Sequence, residues 1–258
     1  MELGLKDRAV LITGATANIG AATAVAFGRE GARVALTYRH NKDGATNTAR
    51  EVEKAGGISY VLPFDLEDPD GAKRLIDDVS DHWGGLDVLV NNAVRWADTG
   101  PGPMETTFDE TADWQALLHA NLTGHMRVIH TAIPILRKSS AGRIVTLSTS
   151  VIRRGVRGAA IYTAAKAGLH GLTRSLAWDV GHDGVLVNLV LPGWTIDGSP
   201  MPDPLPEELQ FLLNEHCKNT PTGRLTSCLH VADTIVFLSS SANGSITGEA
   251  VWVTGGFG

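Results

Sequence analysis

Cysteine is scarce: Cys217 and Cys228 are the only two in 258 residues, and their C-x10-C spacing fits neither a C-x-x-C redox pair nor a zinc half-site. No stretch approaches the roughly 18 consecutive apolar residues of a membrane helix. The segment Met1–Arg8 lacks the basic, apolar and small-residue succession of a secretory signal. These absences favour a reduced, cytoplasmic protein with no membrane partner. Clusters of Lys and Arg are also missing, and 22 basic against 28 acidic residues give a formal net charge of −6. Such a chain offers no electrostatic footprint for nucleic acid. The nine histidines contain no H-E-x-x-H. His119, His125 and His130 read as surface or core positions, and no metal is expected.

Hydrophobic residues at 43% and charged residues at 19% suit an ordered globular fold. Short β-branched runs alternate with helical patterns, which predicts βα units and a parallel sheet covered on both faces. The expected strands are Ala9–Thr13, Arg33–Tyr38, Ser59–Pro63, Val88–Asn91, Arg143–Leu147, Val185–Leu191 and Ala250–Val253. The expected helices are about Ile19–Glu30, Gly44–Ala55, Pro69–His82, Asp113–Leu136, Tyr162–Asp179, Pro206–Asn219 and His230–Ser240. No linker or repeat interrupts them, so residues 1–258 read as a single α/β domain, a doubly wound Rossmann-type fold. The only Pro-dense stretch, Gly198–Pro206, lies within a substrate lid expected at about 194–220.

The turn Thr13-Gly14-Ala15-Thr16-Ala17-Asn18-Ile19-Gly20 falls between the first strand and the first helix. There, free backbone N–H groups and a helix N-terminus can hold a pyrophosphate. Its spacing is not G-x-G-x-x-G, and the absence of G-x-x-x-x-G-K-[ST] disfavours a P-loop ATPase. The second strand ends in Thr37-Tyr38-Arg39-His40 with no carboxylate for ribose hydroxyls. Arg39 brings paired donors suited to a 2′-phosphate, so NADP(H) is favoured over NAD(H).

Taken together the residues resemble the short-chain dehydrogenase/reductase family, whose glycine motif is T-G-x-x-x-G-x-G, across essentially the whole chain. Asp65-Leu66 is similar to the family's adenine-contacting pair and Asn91-Asn92-Ala93-Val94 to its N-N-A-G. Asn121 resembles its helix asparagine, Tyr162-Thr-Ala-Ala-Lys166 its Y-x-x-x-K, and Pro192-Gly193 its P-G turn. Two positions depart: Asn18 and Val94 stand where the family usually has Gly. Asn tolerates a left-handed backbone better than most residues, whereas Val94 needs negative φ and its side chain would narrow the cofactor groove. The resemblance implies a homo-oligomer, a tetramer. It also implies a cofactor site built from Gly14, Thr16, Asn18, Ile19, Gly20, Arg39, Asp65, Leu66, Asn92, Ala93, Tyr162, Lys166, Pro192, Gly193 and Thr195. Many relatives carry a Thr four or five residues beyond that proline; here Ile196-Asp197 follow.

Tyr162 and Lys166, four apart on one helix face, form an acid–base pair, in which a nearby ammonium would draw the phenol's pKa downward. By resemblance Lys166 also holds the nicotinamide ribose, and Asn121 anchors a water in a proton relay. Ser148-Thr149-Ser150 offers three hydroxyls. The family's carbonyl-polarising serine commonly lies thirteen positions before the tyrosine, which here is Thr149, and strand alternation turns Ser148 the other way. The expected activity is hydride transfer between NADP(H) and a small carbonyl or alcohol, including thioester-linked carbonyls. The rival is a non-catalytic protein that senses nucleotide on the same fold. Three arginines in Ile152–Arg157 reverse the local sign of charge and would attract an anionic substrate; the competing reading is a solvated loop or a subunit contact.

Overall fold

A computed structural model describes residues 2–96, 113–197 and 203–257. Among the described residues, β1 (Ala9–Ile12), β2 (Arg33–Tyr38), β3 (Ile58–Pro63), β4 (Val88–Asn91), β5 (Arg143–Leu147), β6 (Leu186–Pro192) and β7 (Ala250–Val253) form one seven-stranded sheet. Its order is β3-β2-β1-β4-β5-β6-β7, and every neighbouring pair is parallel. Parallel neighbours need crossover connections. The crossovers include α1 (Asn18–Arg29), α2 (Lys42–Lys54), α3 (Gly71–Trp83), α5 (His125–Leu136), α7 (Ala160–Val180) and α9 (Cys228–Ser239).

Strand alternation sorts the core into two layers. Val10, Ile12, Val34, Leu36, Val88, Val90 and Val145 pack on Phe27 of α1, Val52 of α2 and Ile235 of α9. The intervening Leu11, Ala35, Leu89 and Ile144 pack on Ile76 of α3, Ile129 of α5 and Val180 of α7. With both faces covered, the strands read as unbroken apolar runs. The strand order reverses between β1 and β4. Sheets of this kind bind ligands at such a reversal, in the crevice beyond the carboxyl ends of the strands.

Most element ends lie within one or two residues of the sequence-based expectation. The single helix expected over Asp113–Leu136 is instead α4 (Trp114–Leu118), a π-helical turn (His119–Gly124) and α5. The cause is visible in Asn121: its Nδ2 donates to the Arg95 carbonyl at 2.8 Å and its Oδ1 accepts from the Arg95 N–H at 3.1 Å. This double bond to the chain leaving β4 favours a widened turn, a distortion that clusters at functional sites. A short α6 (Val151–Arg154), not anticipated, follows β5. Among the described residues no helix is long and apolar enough to cross a membrane.

Candidate active site

The glycine turn is held from two sides. Thr13 Oγ1 accepts from the N–H groups of Asn92 and Ala93, each at 3.0 Å. Asn92 Nδ2 donates to the carbonyls of Thr13 at 3.0 Å and Gly14 at 2.7 Å, while Thr37 Oγ1 accepts from Gly14 N–H at 3.0 Å. Gly14 has φ 69°, and a Cβ there would lie 2.8 Å from Ala93 Cα. A Cβ on Gly20 would come within 2.3 Å of the Gly14 carbonyl oxygen. The backbone is thus drawn into a close cradle beside half-buried Thr16 and Ile19, at the start of α1. That cradle fits a dinucleotide pyrophosphate. Asn18 adopts φ 50°, the left-handed conformation its family counterpart meets with Gly.

At the other end of the crevice, Arg39 is not a free charge. Its Nε pairs with Asp65 Oδ2 at 2.8 Å and its Nη2 with Glu67 Oε2 at 3.2 Å. Glu67 also pairs with Arg95, whose guanidinium reaches Asp113 in turn. The guanidinium read from sequence as available to a 2′-phosphate is therefore engaged by two carboxylates beside buried Leu66. Neither Glu67 nor Arg95 carries a motif that sequence reasoning could single out.

The residues expected to be catalytic from the sequence come together near the carboxyl ends of β4 and β5. Lys166 is 2% exposed, its Nζ donating to the Leu147 carbonyl at 2.9 Å and lying 5.9 Å from the Tyr162 ring centre. The Thr149 side chain stands beside the Tyr162 phenol and eases its ionisation, and Thr149 Oγ1 accepts from Val151 N–H at 3.3 Å. Ser148 turns behind the site, its Oγ donating to the Lys166 carbonyl at 3.3 Å and meeting His170 Nε2 at 3.2 Å. The expected downward pull of Lys166 on the phenol does not prevail. Burial pushes Tyr162 up to about 12, with the neighbouring Thr149 hydroxyl opposing it, and burial brings Lys166 down to about 7. An ammonium that is itself costly to bury offsets only part of what burial costs the phenolate.

Three further side chains shape the site. Val94 keeps negative φ and packs with Val151 against Tyr162 and Ala159, so its bulk fills the wall behind the tyrosine. Trp96 stacks on the Tyr162 ring with centres 5.3 Å apart. His125, four residues after Asn121, is fully buried against the Ala93 backbone and Lys166, and burial holds its pKa well below the usual imidazole range. Its approach to Ala93 falls short of full hydrogen-bond geometry at either ring nitrogen. Its spacing of four from Asn121 was the available signal.

Pro192 ends β6, and Gly193 N–H donates to the Val253 carbonyl at 2.9 Å, tying the following turn to β7. Thr195 lies near the Cys228 thiol, which donates to the Asp197 carbonyl at 3.0 Å, and the Asp197 carboxylate accepts from Ser227 Oγ and Cys228 N–H at 2.8 Å each, capping α9. Of the expected lid, residues 198–202 lie outside the described residues; beyond them α8 (Glu207–Lys218) carries His216, which meets Trp194 edge-on. Arg153 sits over the Trp252 ring and Arg154 over Phe257, at 5.3 and 4.1 Å. Among the described residues no cluster of His, Cys, Asp or Glu could hold a metal ion.

A nucleotide cradle at a strand-order reversal, joined to a Thr–Tyr–Lys cluster, defines a dinucleotide-dependent oxidoreductase. The profile of the family described as enoyl-(acyl carrier protein) reductase matches residues 14–258, and the chain belongs to the short-chain dehydrogenase/reductase family. It is 33% identical to the 3-oxoacyl-(acyl-carrier-protein) reductase of Staphylococcus aureus, over 96% of this chain and 97% of that protein. It is 36% identical to the acetoacetyl-CoA reductase of Shinella zoogloeoides, over 97% and 98%. The structure of a point variant of actinorhodin polyketide ketoreductase with NADPH superimposes with a TM-score of 0.85 at 30% identity, covering 98% of this chain and 97% of that one.

The two hydroxyls of β5's end make separable predictions. Thr149→Ala is expected to lower kcat roughly 10²-fold, the usual cost of removing a donor from a developing oxyanion. Ser148→Ala, remote from the carbonyl, should stay within a few-fold of wild type. A larger kcat loss for Ser148→Ala in steady-state assays would show that Thr149 does not polarise the carbonyl.

Proposed function

We propose that the chain is an NADP(H)-dependent ketoreductase, moving hydride between the cofactor and a carbonyl or alcohol. The observation that carries this reading is the convergence of Thr149, Tyr162 and Lys166 beside the cradle clamped by Thr13 and Asn92. When bound, NADPH supplies the hydride and the protein supplies everything else. Gly14, Thr16, Asn18, Ile19 and Gly20 would hold the pyrophosphate. Arg39 would take the 2′-phosphate, Asp65 and Leu66 the adenine, and Asn92, Ala93, Pro192, Gly193 and Thr195 would flank the nicotinamide.

Thr149 donates to the substrate carbonyl and fixes its orientation, and Tyr162 delivers the proton to that oxygen. Lys166 anchors the nicotinamide ribose and compensates the phenolate left behind. Asn121, in its π-helical turn, holds the water that returns a proton to Lys166. Trp96 stacked on Tyr162 and Val94 behind it give the substrate side an apolar wall. With two relatives named for acyl-carrier and CoA substrates, this supports 3-oxoacyl thioesters as the substrate class. We further propose one domain spanning 1–258 with a lid at about 194–220, a homotetramer and a cytoplasmic location. Trp178, 82% exposed on α7, supports assembly, and the unpaired Cys217 and Cys228 support a reducing compartment.

Loss of NADPH absorbance against a panel of 3-oxoacyl thioesters and simple ketones tests the activity. Tight NADPH binding without turnover of any member would favour a nucleotide-sensing protein instead. The cofactor placement has its own test: Arg39→Ala should weaken NADPH roughly tenfold and NADH little. Equal weakening of both would remove the 2′-phosphate from Arg39.

A further inference from the structure

Arg39 and Arg95 share one carboxylate, that of Glu67. Glu67 Oε2 pairs with Arg39 Nη2 at 3.2 Å, its Oε1 pairs with Arg95, and Asp65 takes Arg39 Nε at 2.8 Å. Arg95 closes the row on Asp113, while its backbone is held by Asn121 on both sides. Arg39 thus meets two carboxylates at the end of β2, where a selective NADP site needs surplus positive charge. The side chains of Arg39 and Glu67 are 45% and 25% exposed, so the pair can be exchanged for another partner without unpacking the core.

We propose that Glu67 sets the ratio of NADPH to NADH affinity by competing with the 2′-phosphate for Arg39, and that Arg95 moderates the competition by holding Glu67 from its other side. This rests on the placement of the 2′-phosphate at Arg39 given above. A phosphate approaching Arg39 must displace Glu67 and sit near a carboxylate that repels it. A ribose hydroxyl meets no such repulsion, because a carboxylate accepts its hydrogen bond. The same carboxylate thus opposes one cofactor and tolerates the other. With Arg95 present, Glu67 has a second cation to satisfy it after Arg39 is released.

The two substitutions have opposite signs. Glu67→Gln removes the competing charge, and NADPH should bind roughly three- to fivefold tighter, the range for a partly exposed ion pair, with NADH unchanged or slightly weaker. Arg95→Met leaves Glu67 with Arg39 alone and removes a nearby cation, so NADPH should weaken several-fold while NADH holds. Fluorescence titration of NADPH and NADH into wild type, Glu67→Gln, Arg95→Met and Arg39→Ala reads all of these, and the Glu67→Gln gain should shrink as salt rises. A site that is merely loosened would lose affinity for both cofactors together. If Glu67→Gln leaves the NADPH/NADH ratio unaltered, or Arg95→Met tightens NADPH, Glu67 does not set the preference. If Arg39→Ala fails to separate the two cofactors, it is the underlying phosphate placement that falls.

Discussion

Tyr162→Phe is expected to lower kcat by roughly 10²- to 10⁴-fold, the range general acid catalysis contributes, while NADPH affinity stays within about twofold. The ring stays packed on Trp96 and Val94, and only the hydroxyl is lost. Burial holds that hydroxyl up at about 12, so it is protonated throughout the physiological range and ready to donate. Reduction should therefore show no loss of the donor below about pH 10, the ordinary tyrosine value. The reverse oxidation, which needs phenolate, should accelerate as pH rises. A residual kcat within about tenfold of wild type would mean that another group protonates the carbonyl oxygen.

Lys166→Met should abolish turnover and yet stabilise the fold at pH 7 when no cofactor is added. Burial brings the lysine from 10.5 to about 7 in the folded state, so between those values the unfolded chain binds the extra proton. Stability then rises with pH across that window, and the cost of the buried ammonium is present in full below pH 7. A displacement of 10.5 − 7 = 3.5 units corresponds to at most about 5 kcal/mol. Urea unfolding at pH 7, 8 and 9 should show wild type gaining on Lys166→Met at each step, with groups common to both proteins cancelling. Parallel pH dependences in the two proteins would show that Lys166 is charged without penalty in the native state. The catalytic site would then not be paid for in stability.

The sheet was legible because a strand buried on both faces must be apolar throughout, and runs such as Ala9–Ile12 and Val88–Asn91 admit little else. The proposal of Thr149 over Ser148 used only alternation and spacing; the alternation itself is seen, with Ser148 turned to His170 and Thr149 standing beside Tyr162. What could not be read was pairing between distant segments. Arg39 is engaged by carboxylates at 65 and 67, and Glu67 by an arginine 28 positions on. The π-helical turn was not foreseen within Asp113–Leu136; the two hydrogen bonds between Asn121 and Arg95 that accompany it join positions 26 apart. The direction of the Tyr162 shift was missed for a similar reason, since spacing shows that a cation is near but not how dry the pocket is.

The clamp on the glycine turn bears on how the chain acquires its cofactor site. Thr13 and Asn92 are 79 residues apart, and between them the chain must place β2 and β3 on the opposite side of β1. Contacts of such long sequence separation form late, after loop-closure entropy has been met. The turn is therefore a product of folding: a partly folded chain holding only β1, α1 and β2 can keep Thr37 on Gly14 but lacks the second grip, that of Asn92 and Ala93 on Thr13 and of Asn92 on Gly14. Dinucleotide can reward only the finished sheet, raising its stability by mass action. During refolding it should slow the escape from the native state far more than it speeds arrival there.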